Sequence, residues 1–388
     1  MSWQVGERVG PAQVGPVAHG GHCVVRVDGR VLFVRHALPG EVVEVEVTGS
    51  RSRYGYGDAV AVLGAHPQRI APSCPVAGPG GCGGCDFQHA SLTLQRELKT
   101  AVVAEQLLRL AGYHWDGEVE AVPGETGAGW RTRMRYQVTA EHRLGLRRHR
   151  DHALVELPSA GCRIAHPGLR PVPPAVLAKT SPGAEVVQAG VGGAVLVGGQ
   201  RVAGPDRLRE TAGGTVFEVE PDGFWQVHPA AAETLVAAVR DMLVPTAGQT
   251  AWDLYCGVGL FAQMLVACGA SVRAVEWSRS AVALARRNVP AARVEQGRVE
   301  RVLRRWPRRV DLVVLDPPRA GCGREVVAAV TARRPSAVAY VACDPAALAR
   351  DLATFASHGY QIGQVRAFDL FPMTHHVECV AVLHRAGR

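Results

Sequence analysis

The stretch AVAYVACDPAALARD, residues 337–351, decides how the chain reads. Its five opening residues, Ala337 to Val341, are small or apolar and predict a buried strand of a parallel sheet. Asp344-Pro345 then breaks the strand and opens a helix. Cys343 therefore stands at a strand's carboxyl end, where open α/β sheets bind their ligands, and the helix N-terminus beyond it is expected to favour the thiolate. A cysteine in such a place is also an ordinary small hydrophobe. Its company elsewhere in the chain sets this one apart.

TAWDLYCGVGLF, residues 250–261, reads as an apolar strand running through a Gly-x-Gly turn into a helix, and Gly257 lets the backbone come close to a ligand. The following strand, SVRAVE, ends in Glu276, placed to accept hydrogen bonds from ribose hydroxyls. VDLVVLDPPRAG ends in a second acid, Asp316, and two prolines stiffen the backbone where it leaves the sheet. The late stretch HHVECVAVLHR carries Glu378 in an apolar strand, which is unfavourable unless the carboxyl is partnered or used; facing a crevice, it would have a raised pKa suited to a base. Each acid alone is also compatible with a solvated strand end. From Gly248 onward strands and helices alternate, the pattern of a doubly wound α/β domain.

With 388 residues the chain is long for one core, so two or three domains are expected. Its 43 basic against 35 acidic residues give +8, a balance that favours an anionic partner such as nucleic acid. Only Lys99 and Lys179 are lysines, a bias that a GC-rich coding sequence also produces. No signal peptide is read in MSWQVGERVG, and the apolar run 186–199 is too short and glycine-rich to span a bilayer, so the expectation is a cytoplasmic protein without a membrane partner. In a reducing compartment its ten cysteines point to metal ligation, chemistry or packing before disulfides.

The first 65 residues read as a small β-module. GHCVVRVDGRVLFVRH alternates about the hairpin dipeptide Asp28-Gly29, and EVVEVEV alternates again. This pattern resembles a TRAM domain, an OB-like RNA-binding barrel, and Arg51, Arg53, Tyr54 and Tyr56 offer cations beside aromatic rings. Cys74, Cys82 and Cys85 follow in a Gly- and Pro-rich loop, with Cys162 far downstream. Three cysteines in one loop and a distant fourth suit a 4Fe-4S cluster; a structural zinc and metal-free thiols are the alternatives. Residues 91–112 predict an amphipathic helix capped by Ser91, ended by Gly112, with Leu94, Leu98, Val102, Leu107 and Leu110 near one face. Arg131, Arg133 and Arg135 then fall on one face of a strand, a basic platform for RNA or a plain charged exterior. Residues 171–219 read as further strands.

DLYCGVGLF, LDPPRAG, YVACDPAALARDL, HHVEC and FWQVHP at 224–229 together resemble the RNA uracil-C5 methyltransferases, and the likeness covers nearly the whole chain. It implies a class I, Rossmann-like S-adenosylmethionine methyltransferase domain preceded by the TRAM barrel and a β-rich iron–sulfur central domain. It also implies Cys343 as nucleophile and Glu378 as base. Gln226, Tyr255, Glu276 and Asp316 match cofactor positions, Phe224 and Gln226 lie near the target base, and Cys74, Cys82, Cys85 and Cys162 match the cluster ligands. Domains at 1–65, 66–222 and 223–388 are expected, with the 91–112 helix packed on the last, in a monomer acting on tRNA or rRNA.

The chemistry requires such residues. Carbon 5 of uracil is a poor nucleophile until a thiolate adds at carbon 6 and generates an enolate. Asp316 and Gln226 would orient the ring, Glu378 would take the carbon 5 proton, and a uridine in folded RNA must first leave its stack. The sequence departs from the family in His228 and Asp344, where asparagines are usual, in Arg298, where a small amide is expected, and in a longer first cysteine gap. Two other classes fit parts of the pattern: an amino-group methyltransferase, from the Asp-Pro-Pro strand end, and a non-catalytic iron–sulfur RNA-binding protein.

Overall fold

The C-terminal part of the chain is built on strands β1 (Thr250–Leu254), β2 (Ser271–Glu276), β3 (Arg293–Gln296), β4 (Leu312–Leu315), β5 (Ala337–Ala342), β6 (Tyr360–Phe368) and β7 (Glu378–Arg385). They come from a computed structural model, which describes residues 3–124 and 126–387. Their order is β3-β2-β1-β4-β5-β7-β6, with the first five parallel and β7 inserted antiparallel between β5 and β6. β4 and β5 are buried at every residue, which is why both read as unbroken apolar runs. One apolar cluster lies on each face of the sheet. The strand order reverses between β1 and β4, and that switch opens the crevice at the strands' carboxyl ends.

An eighth strand joins this sheet from far upstream: Val119–Glu120 runs parallel to β6 at the edge. Two residues carry no readable periodicity, so the sequence pattern offers no sign of it. The Leu92–Ala111 helix belongs to the same region, packing against the Pro345–Ser357 helix. Ser91 caps it by accepting from the Leu94 N–H at 3.2 Å, and Gly112 ends it in the left-handed region. Its stripe is narrower than expected, because Leu110 is exposed while Gln95 and Lys99 are buried.

Residues 8–64 form a closed five-stranded barrel. Asp28 and Gly29, both at positive φ, turn His22–Val27 back onto Arg30–Arg35. The barrel core does not end at the barrel. Leu94, Leu98 and Val102 of the long helix pack into it, while Val103 and Leu107 of the same helix pack onto the C-terminal sheet.

The region between holds a six-stranded antiparallel sheet, from Arg133–Val138 to Gln200–Ala203, and the hairpin Leu208–Ala212 with Thr215–Val219. Here two of the arginines read as an RNA platform or a charged exterior have partners within the chain. Arg133 turns inward, donating to the Glu220, Pro221 and Gly223 carbonyls and facing Glu210, so it secures the chain leading to Phe224. Arg135 is exposed but paired with Glu185, because antiparallel pairing brings the two strands' charges together. Among the described residues no helix is long and apolar enough to cross a membrane.

Lys99 is the buried tie between the helix and the sheet. It is 1% exposed, pairs with the fully buried Asp369 just beyond β6, and donates to the Phe371 carbonyl at 3.1 Å. Removing one partner strands the other's charge, so Lys99→Ala is expected to cost about 3–5 kcal/mol in urea unfolding. The double variant Lys99→Met with Asp369→Leu should cost clearly less; equal losses would mean that the pair is not coupled.

Candidate active site

Two backbone connections close the crevice. Asp316 N–H donates to the Leu254 carbonyl at 3.2 Å, joining the ends of β4 and β1. Tyr255 and Cys256 N–H both donate to the Val275 carbonyl at 3.0 Å, so the glycine turn is strapped to the end of β2. Tyr255 has φ 67°, a strained left-handed conformation for a bulky residue, of the kind found where a loop is shaped for a ligand. Glu276 braces the turn from below. Its carboxylate accepts from the Gly257 N–H at 3.1 Å and the Ser278 N–H at 2.7 Å, leaving further lone pairs for a sugar edge. Asp253, in β1, is fully buried and accepts from the Ala262 N–H at 2.7 Å, pinning the next helix. Gly257, Tyr255, Glu276 and Asp316 thus share one strand-end crevice.

Cys343 and Glu378 meet through strand register. Ala342 pairs with Cys379 in the antiparallel ladder, so the next residues out, Cys343 and Glu378, face each other across it. Glu378 is 4% exposed and Cys343 half-buried. Burial and the Glu378 charge push the Cys343 thiol up to about 11, opposed by the Arg319 guanidinium. Desolvation thus opposes the ionisation expected from the helix end. Burial, followed by the Asp316 charge, also raises the Glu378 carboxyl well above its ordinary range, and burial pushes Asp316 up to about 7. The two carboxyls and the thiol share one poorly solvated space, and each binds its proton more tightly than it would in water.

The sequence reading assigned no role to the residues that surround this pair. Arg319 follows the two prolines of β4's end, and its Nη2 lies 3.4 Å from His376 Nε2. His375 packs on His376, and its ring and N–H both bond Asp86 Oδ2, at 2.6 and 3.1 Å. Asp86 in turn takes Arg35 of the barrel at 3.2 Å. The doubled histidine before Val377-Glu378 was the available signal, but only the fold supplies its partner.

The remaining residues divide. Gln226 is buried, while Phe224, 72% exposed, stands at a cavity of about 450 Å³ lined also by Cys74, Cys82, Cys85 and Cys162. The four cysteines are thus gathered, yet among the described residues no three metal-binding side chains stand close enough to hold a metal ion. Burial pushes Cys85 up to about 12 and raises Cys82 and Cys162. His228 fills its unusual position as a turn former: Nδ1 accepts from the Ala230 N–H at 3.1 Å and the ring stacks on Trp130. Asp344 caps its helix, accepting from the Ala347 N–H at 2.7 Å. Arg298 lies with its guanidinium 5.4 Å from the exposed Trp277 ring, beside Glu276.

Comparison with known proteins agrees with this architecture. Residues 307–386 match the tRNA (uracil-5-)-methyltransferase family model, residues 3–60 the TRAM domain and residues 230–320 the methyltransferase small domain. A Streptomyces avermitilis protein named as an uncharacterized RNA methyltransferase is 46% identical over 97% of this chain and 98% of its own. A Bifidobacterium longum protein of the same description is 38% identical over 94% of each. The chain belongs to the RNA uracil-5 methyltransferase family. It is an RNA methyltransferase with a TRAM domain at its N-terminus. A crystal structure of Pyrococcus abyssi tRNA (uracil-54, C5)-methyltransferase with S-adenosyl-L-homocysteine has the same fold, with TM-score 0.72 at 24% identity, over 96% of this chain and 99% of that one.

The acid cluster of this methyltransferase leaves a mark on stability. Asp316 keeps a proton in the folded chain that the unfolded chain gives up, so its contribution is fully present below about pH 4 and is lost as pH rises towards 7. Asp316→Asn removes that loss. Its stability relative to the parent should climb between pH 4 and 7 and stay level above, reaching on the order of 2–4 kcal/mol. Urea unfolding at stepped pH measures the difference, and a pH-independent margin would refute the assignment.

Proposed function

We propose that this enzyme methylates carbon 5 of a uridine in folded tRNA or rRNA through a covalent adduct between Cys343 and carbon 6 of the base. The observation that carries the reading is the register that faces Cys343 with Glu378 at the crevice edge, beside Asp316. An amino-group transfer needs neither a thiol nor a second acid there. S-adenosylmethionine supplies an electrophilic methyl group; Tyr255, Gly257, Glu276, Asp316 and Gln226 are the residues that would hold it.

The reaction divides among residues already described. Cys343 gives up its proton, the sulfur adds to carbon 6, and the electron pair moves to the enolate oxygen and carbon 5. Arg319, which faces both Cys343 and Glu378, favours the anionic forms of each. After methylation the carboxylate of Glu378 takes the carbon 5 proton, the enolate re-forms and expels the sulfur, and the ring regains its double bond. The raised affinity of Glu378 for protons makes it a stronger base once it is ionised.

The RNA would be held in two places. On the barrel Phe33, Tyr54 and Tyr56 form one aromatic group with ring centroids 5.6–5.9 Å apart, and Arg150 stacks over Tyr56 at 4.1 Å. Partly exposed rings with a guanidinium form a surface on which unstacked bases can lie. Phe224, projecting into solvent at the cysteine-lined cavity, is the second contact and stands near the flipped base.

The family cluster belongs to the same reading. The test is whether the donor set suits it: four thiols line one cavity, and a buried thiol set resists ionisation unless a cationic centre offsets the charge. Cys74, Cys82, Cys85 and Cys162 would hold a 4Fe-4S cluster that ties the 74–85 loop to the central sheet. Its part is structural, because methyl transfer consumes no electrons. Anaerobically purified protein should be brown and contain about four irons per chain, with the colour lost in Cys82→Ser. Stoichiometric zinc without iron would reverse the assignment.

The covalent step has its own test. Target RNA with 5-fluorouridine at the modified position should be methylated and then trapped, because fluorine does not leave as a proton does, and the adduct should survive denaturation. Cys343→Ala should form none. Glu378→Gln should accumulate adduct on ordinary RNA, since its step comes last. Full activity of Cys343→Ala, with the methyl on an exocyclic amine, would exclude the mechanism.

A further inference from the structure

The barrel reaches the reactive pair directly. Its first turn, between the strands Arg8–Ala18 and His22–Val27, touches both segments that carry catalytic groups. Gly21, at φ 77°, lies so close to the segment before Glu378 that a Cβ there would come within 2.8 Å of His375 Cβ and 3.2 Å of Asp86 Cβ. Two residues earlier, His19 Nε2 lies 3.1 Å from Asp344 Oδ2, on the residue that follows Cys343. Nothing in the barrel's own fold requires either approach.

We propose that His19 is a positioning residue for the Cys343-Asp344 turn, supplied by the barrel to hydrogen-bond the Asp344 carboxylate and so weaken its opposition to the neighbouring thiolate. The inference rests on the reading of Cys343 as the nucleophile. Its motive is the contact that the barrel makes on the residue beside Cys343. An asparagine at this position could cap the helix as Asp344 Oδ1 does here. What the aspartate adds is a full negative charge beside a sulfur that must ionise. The groups facing Cys343 are the carboxyls of Glu378, Asp316 and Asp344, which oppose the thiolate, and Arg319, which favours it. Those facing Asp344 are His19 and Arg350. Burial works against ionising Asp344, yet the hydrogen bonds from His19 and the Ala347 N–H hold its carboxyl below the ordinary range. The aspartate and the histidine thus act as a matched pair, in which the barrel provides what an amide would not need.

The pair is partly solvated, with side chains 39% and 25% exposed, so its effect on Cys343 is modest, about two- to fivefold. The experiment follows iodoacetamide alkylation of Cys343 in the full-length protein without RNA, between pH 6 and 10, by mass spectrometry of the peptide that carries it. The parent, His19→Ala, Asp344→Asn and the double variant are compared, with single-turnover methylation measured in parallel. His19→Ala should slow alkylation about two- to fivefold at a given pH and move the profile to higher pH. In the Asp344→Asn background the same change should do nothing. An unchanged profile in His19→Ala, or equal slowing with and without Asp344, would overturn the role of His19 alone. Methylation that survives Cys343→Ala would instead remove the nucleophile reading and His19's role with it.

Discussion

The site depends on the insertion of one strand. β7 enters antiparallel between β5 and β6, and its register places Glu378 opposite Cys343, residues that are far apart in sequence. Six consecutive residues of β7 are buried, so a carboxyl is tolerated only at its first position, where the strand meets the crevice. The same antiparallel entry delivers the 369–377 loop to the reactive end of the sheet. That loop carries the anchor for Lys99, the paired histidines and the contact to Asp86.

Around that register the charges are arranged at a cost to the free protein. Cys343, Glu378 and Asp316 all bind protons more tightly than they would in water, because the crevice desolvates them together. Such a site is poised rather than switched on. Charge supplied by a guanidinium, by a neighbouring domain or by a bound cation determines how readily each group ionises. Arg319 serves this purpose from the β4 side, and His19 of the barrel lies 3.1 Å from the Asp344 carboxylate beside Cys343.

The domains are correspondingly hard to separate. One helix, Leu92–Ala111, gives its first half to the barrel core and its second half to the sheet. Val119–Glu120 then adds a strand to the sheet before the chain returns to the central region. The barrel and the strand-end crevice are thus parts of one packed structure, and the loop with Cys85 and Asp86 is held between them.

Much of this was legible in the chain. Unbroken apolar runs identified the parallel strands, Asp28-Gly29 and the 255–259 turn announced backbone conformations that few residues adopt, and Ser91 and Gly112 marked a helix. Such signals are local: period, turn chemistry and capping act within a few residues. Glu378 was conspicuous because a carboxyl within an apolar strand is costly without a partner or a use, and Cys343 and Asp316 because they stood at strand ends in its company. What the sequence could not state was pairing. Whether Arg133 faces RNA or three carbonyls, whether Lys99 is solvated or sealed against Asp369, and whether the Cys343 thiol is ionised all depend on what the fold brings within a few ångströms. Desolvation and charge pairing are properties of a three-dimensional neighbourhood. The chain by itself determined the sheet and its candidate acids, and the tertiary structure decided which of them share a space and therefore a proton.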